Sequence, residues 1–139
     1  MKIKNIFVTN TDKMKILLIL FVLFFSSFVF GKNLIDPLSF SGSQSEKNAV
    51  ISFIERDVKK TYCENELLES MCTNSMLRLM EEEELRSFKI LTNAKNKKIL
   101  NKVTSTYCDN SMLEGFCTYT MILLMYEEEV KALGQKLEW

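Results

Sequence analysis

The sequence predicts an all-α fold in which two tandem helical hairpins, each braced by a disulfide, follow a secretory signal segment. Three observations predict it. Apolar residues recur at three- and four-residue intervals, a block of about 45 residues occurs twice, and four cysteines fall at matching places in the two copies. No alternating run of β-branched residues is long enough to build a sheet.

Composition limits the chemistry. The chain has 139 residues, 47% hydrophobic and 26% charged, which suits one small domain or a short repeat pair. It contains no histidine, which removes Ser-His and Cys-His catalysis, His-ligated zinc and histidine-based pH switching. No glycine-rich phosphate-binding pattern is present, and the single proline and four glycines exclude collagen-like and linker-like classes. The chain is expected to be non-enzymatic and to carry neither cofactor nor metal.

Residues 1–31 read as a signal peptide. The apolar run Ile16 to Phe30 follows Lys2, Lys4, Lys13 and Lys15, and Val29 and Gly31 supply the small-residue cleavage pattern. A helix over that run would reach only about 22 Å, short of the roughly 20 residues a bilayer span needs. The mature chain is expected to begin near Lys32, secreted or periplasmic and free of the membrane. An uncleaved anchor is the alternative, and either Met1 or Met14 fits as the start. Losing Lys2, Lys4, Lys13, Lys15 and Asp12 takes the 18 basic residues to 14 and the 18 acidic residues to 17, about −3 overall. That balance disfavours nucleic acid and anionic membrane as partners. The cluster Lys95, Lys97, Lys98 and Lys102 reads as a solvated helix start.

Residues 32–47 carry Pro37 and a Ser/Gly-rich patch and read as a linker. The duplication follows, as repeat 1 (48–92) and repeat 2 (93–139). Shifted by 45 residues, Tyr62, Cys63, Asn65, Leu68, Glu69, Cys72, Thr73, Met76, Leu79 and Met80 fall on identical residues from Tyr107 to Met125. Val50, Ile54, Val58 and Tyr62 make one apolar stripe, and Leu68, Cys72, Met76, Leu79 and Met80 a second. Ile99, Val103 and Tyr107 repeat the first. Each unit reads as a shorter helix leading into a longer one, and Met121 to Tyr126, apolar nearly all round, marks the more buried long helix. Met71, Met76, Met80, Met112, Met121 and Met125, at helical spacing, read as core filler.

Four cysteines behind a signal segment imply disulfides. On one straight helix Cys63 and Cys72 would lie about 13.5 Å apart on opposite faces, beyond the roughly 4.4 to 6.8 Å that a bridge spans between Cα atoms. A turn around Glu64 and Asn65, and another around Asp109 and Asn110, resolves this. Local bridges Cys63 to Cys72 and Cys108 to Cys117 are therefore expected, with Asn65 and Asn110 as helix caps and a capping box of Ser111 with Glu114. Tyr62 and Tyr107 are expected to pack over these corners. Eight intervening residues do not suit a redox-active C-x-x-C pair or a four-cysteine zinc site.

Two acidic blocks occupy the same place in both units: Glu81, Glu82, Glu83 and Glu84, then Glu127, Glu128 and Glu129. They read either as the solvated face of a long helix or as a surface for a cationic partner. Adjacent exposed glutamates lack the apolar surroundings that acid and base catalysis requires.

The run of Cys63, Glu69, Cys72, Met76 and Leu79, followed by Cys108, Cys117 and Tyr126, resembles the small periplasmic four-cysteine helical domains of the lysozyme-inhibitor-like (LprI-type) amino-terminal family. This chain has Met80 where that family commonly has Asp, and its cysteine pairs are copies of each other. The resemblance implies binding to a cationic bacteriolytic enzyme, with the acidic blocks as the contact. From the residues alone the expectation is a disulfide-stabilised helical binding or structural protein with a protein partner. Association of amphipathic hairpins between copies is a further route to assembly.

Overall fold

The computed structural model describes residues 33–135. They form four helices, α1 (Gln44–Cys63), α2 (Asn74–Leu91), α3 (Lys97–Cys108) and α4 (Tyr119–Ala132), with 3-10 turns at Pro37–Ser39, Glu69–Met71 and Glu114–Phe116. No strand occurs among the described residues. The expected signal segment and its expected cleavage site at Gly31 lie outside them, as do Leu137 and Trp139.

Helix α1 packs on α2, α2 on α4, and α4 on α3, so α2 and α4 form the central pair. Each contributes its apolar stripe to one core: Val50, Ile54 and Val58 from α1, Phe88 and Leu91 from α2, Leu100 and Val103 from α3, and Tyr119, Ile122 and Leu123 from α4. Burying each such side chain contributes about 1.5–3 kcal/mol. An aromatic string crosses the core. Phe40 meets Phe88 edge-on at 5.1 Å between ring centroids, Phe88 meets Tyr119 at 5.0 Å, and Tyr119 meets Phe53 at 6.1 Å. Such edge-to-face pairs add to plain burial.

The segment read as a linker is packed instead. Leu34, Ile35, Leu38 and Phe40 lie against the core, and the Tyr119 hydroxyl donates to the Ile35 carbonyl at 3.0 Å. Burial pushes the Tyr119 phenol above its ordinary pKa, so the hydroxyl stays a neutral donor. Asp36 caps the first 3-10 turn by accepting from the Leu38 N–H. Gly42, at φ +84°, provides the left-handed residue that turns the chain into α1. Ser43 and Glu46 then close a capping box, each side chain accepting from the other's backbone N–H. Four apolar residues among Ser, Gly and Pro were outweighed in the sequence reading by the turn-forming composition around them.

Helix lengths differ from expectation in the first half. Helix α1 has 20 residues and α2 has 18, a longer helix leading into a shorter one, whereas α3 has 12 and α4 has 14. The capping box starts α1 four residues before the expected unit boundary. The second stripe is also displaced: Leu68 and Cys72 belong to the corner, Leu79 is 56% exposed, and α2 faces inward through Leu77, Met80, Phe88 and Leu91. Within the apolar segment Met121 to Tyr126, Ile122 and Leu123 are buried, while Leu124 stands 52% exposed.

Candidate functional site

The two corners between helices are built from the same local pieces. Helix α1 ends at Cys63 with Glu64 as its C-cap, and α3 ends at Cys108 with Asp109. The Asn65 side chain then accepts from the Leu67 N–H, and Asn110 from the Met112 N–H, both at 3.0 Å. These are Asx turns, so the two asparagines shape the bend and do not cap a helix. A 3-10 turn follows, without the side-chain capping expected of Ser111 and Glu114. The next helices are capped by Thr73, accepting from Met76 N–H, and Thr118, accepting from Met121 N–H.

A local disulfide closes each corner, Cys63 to Cys72 and Cys108 to Cys117, with Cα atoms 4.9 Å apart in both. Closing a loop of about ten residues contributes roughly 2–3 kcal/mol by the chain-entropy estimate. Tyr62 is half-buried beside the first corner, its hydroxyl 3.0 Å from the Met80 sulfur on α2, and Tyr107 is half-buried against the core. The bridged turns hold two apolar side chains out in water at positions 45 residues apart, Leu67 at 89% exposure and Met112 at 88%. Phe116, in the second corner, is 52% exposed. Leu67 was not singled out from the sequence, and Met112, read there with the helically spaced methionines as core filler, lies on a turn and stands in water instead. An apolar residue at the same place in two polar turns was the available signal.

The acidic blocks are not equivalent. Glu84 turns inward, its carboxylate accepting from the backbone N–H groups of Tyr119 at 2.7 Å and Thr120 at 3.3 Å, and thereby caps α4. Glu81 pairs with Arg78 at 2.8 Å, and Arg78 also lies 3.8 Å from Glu55. Glu83 pairs with Arg86. Only Glu82 of this block is exposed with no ion pair among the described residues. In the second block all three glutamates are exposed; Glu128 pairs with Lys131 at 3.6 Å, and Glu129 lies 3.9 Å from Lys102. Glu127 makes no ion pair among the described residues.

The sequence did not indicate that Asp57 joins Glu83 and Glu84. These three carboxylate residues line a cavity of about 240 Å³ between α1, α2 and α4, with Val58, Met80 and Leu124 among its apolar walls. A second, more apolar groove of about 460 Å³ lies over Phe40, Ile51, Leu85 and Phe88, with Lys47 and Lys89 at its edges. No group of three or more His, Cys, Asp or Glu among the described residues is arranged to hold a metal ion.

No helix among the described residues is long and apolar enough to cross a membrane. The two disulfides fit an extracellular or periplasmic setting. Comparison with protein-family models, with curated proteins and with solved structures found no match to this chain.

Proposed function

We propose that this chain is an exported, non-enzymatic binding protein that engages a protein partner through its two disulfide-braced corners, after removal of residues 1–31 as a signal peptide. The observation that carries this reading is the pair Leu67 and Met112, each close to fully exposed on a turn that a disulfide holds in place. Isolated exposed apolar residues are ordinary on protein surfaces. Here two recur at the same step of two pinned turns, and a pre-ordered turn loses little conformational entropy when its tip is buried by a partner.

The test is a photoreactive phenylalanine analogue placed at position 67, at position 112 and, as a control, at the exposed Lys59 of α1, in cells exporting the full chain. Adducts of one discrete mass at 67 and 112, absent at 59 and lost when the other corner carries Leu67→Asp or Met112→Asp, support the reading. Equal, diffuse labelling at all three positions overturns it.

A second reading is favoured by the acid-lined cavity. In it the chain acts as a lysozyme-inhibitor-like protein, a lysine or arginine of a cationic enzyme entering between Asp57, Glu83 and Glu84, with Glu82 and Glu127 adding attraction at longer range. Calorimetry with lysozyme tests it. Saturable binding abolished by Glu82→Lys with Glu127→Lys supports this reading, and absence of heat at low ionic strength removes it.

A further inference from the structure

The two bridges have the same chain spacing but opposite surroundings. In the second corner Cys117 is 0% exposed and Cys108 5%, and both belong to the core. In the first corner Cys72 is exposed and Cys63 half-buried, outside that core. Thiol–disulfide exchange requires a thiolate to reach a sulfur along the S–S axis, so access decides which bridge reacts. We propose that the Cys63–Cys72 corner is a site of thiol–disulfide exchange with a dithiol, Cys72 being the sulfur attacked, while Cys108–Cys117 is a fixed structural brace. This inference needs only the burial difference and stands whether or not the corners bind a partner.

The chemistry balances with a dithiol as reductant. Its thiolate attacks Cys72 Sγ, the Cys63–Cys72 bond breaks, and Cys63 leaves as a thiolate that takes up a proton. The second thiol then attacks its own sulfur in the mixed disulfide and releases Cys72. The dithiol is oxidised to its disulfide, and the bridge is reduced by two electrons to two thiols. Glu64, Glu66 and Glu69 stand exposed around this corner, whereas in the second Asp109 is exposed and Glu114 half-buried. Their charge repels anionic thiols over about 8 Å at physiological salt, so an uncharged dithiol reacts faster here than glutathione does.

Cys63 and Cys72 lie outside the core that Val50, Ile54, Phe88, Leu91 and Tyr119 form, so reduction is expected to leave that core intact. The corner is then freed to move, and with it the exposed Leu67.

The experiment uses the oxidised protein as recovered after export. Brief treatment with dithiothreitol is followed by iodoacetamide, digestion and mass spectrometry, under native conditions and in denaturing guanidinium chloride. Native protein is expected to carry label on Cys63 and Cys72 while Cys108–Cys117 stays linked, the first bridge opening at least about tenfold faster, and the difference is expected to vanish on denaturation. A C-x-x-C oxidoreductase whose resolving cysteine is replaced by serine is expected to be trapped on Cys72. Equal native rates, faster opening of the second bridge or trapping on Cys108 or Cys117 overturns the proposal.

Discussion

The Glu84 carboxylate on α2 accepts the backbone N–H of Tyr119, the first residue of α4, at 2.7 Å and across 35 positions of sequence. A glutamate that in sequence looks like part of a solvated acidic run thus satisfies the first N–H groups of another helix, which have no partner within that helix, and complements its positive end. At the matching place in the second half, Glu129 is exposed and only 3.9 Å from Lys102. The two acidic blocks therefore have different work within the fold.

Replacing Glu84 by Ala is expected to destabilise the fold by about 1–2 kcal/mol, because a charge-assisted cap is lost from a partly buried helix start. Glu82→Ala, on the exposed side of the same block, is expected to stay within about 0.5 kcal/mol of the parent. Urea denaturation followed by circular dichroism separates the two.

Tyr119 reaches in the opposite direction as well, donating to the Ile35 carbonyl. Tyr119→Phe keeps the ring contacts with Phe88 and Phe53 but releases that bond, and is expected to cost about 1 kcal/mol. Limited proteolysis around residues 33–40 is expected to accelerate while the helices stay intact. Tyr119→Ala, which empties a core position, is expected to cost about 3–5 kcal/mol.

Removing the bridges one at a time is expected to give unequal losses. Cys63→Ala with Cys72→Ala forfeits about 2–3 kcal/mol of chain-entropy stabilisation. Cys108→Ala with Cys117→Ala forfeits the same and also the packing of two buried sulfurs, about 1–2 kcal/mol more. Thermal unfolding of the two double variants checks the order.

Acid is expected to loosen the start of α1. Hydrogen bonds from Ser41 and Ser43 hold the Glu46 carboxyl down from its ordinary 4.5 to about 2. A depressed folded pKa stabilises the folded form above the unfolded value, and that contribution fades as pH falls from about 4.5 through about 2. Amide signals of Ser41 and Ser43 are expected to shift over that range, and Glu46→Gln is expected to abolish the shift. Solvent screens the exposed cap, so global stability changes little.

Helix content and cysteine pairing were legible because both follow from local geometry. Val50, Ile54 and Val58 keep the α-helical period, and nine-residue spacing cannot be bridged along one straight helix. The packed segment 33–43 was not legible, because Ile35 and Phe40 find their partners, Tyr119 and Phe88, more than 45 residues away. The inward turn of Glu84 escaped for the same reason: a glutamate in an acidic run shows nothing of the helix end it will meet. Leu79 misled through its period alone, since α2 begins after Cys72 and so rotates its buried face toward Leu77 and Met80.

The measurement that bears most directly on this account is a non-reduced digest, with a Glu-specific protease, of the protein recovered after export, read together with its intact mass. The account predicts a chain beginning near Lys32, with Cys63 linked to Cys72 and Cys108 to Cys117. Bridges between the two corners, free thiols in the exported form or an intact amino terminus would contradict it.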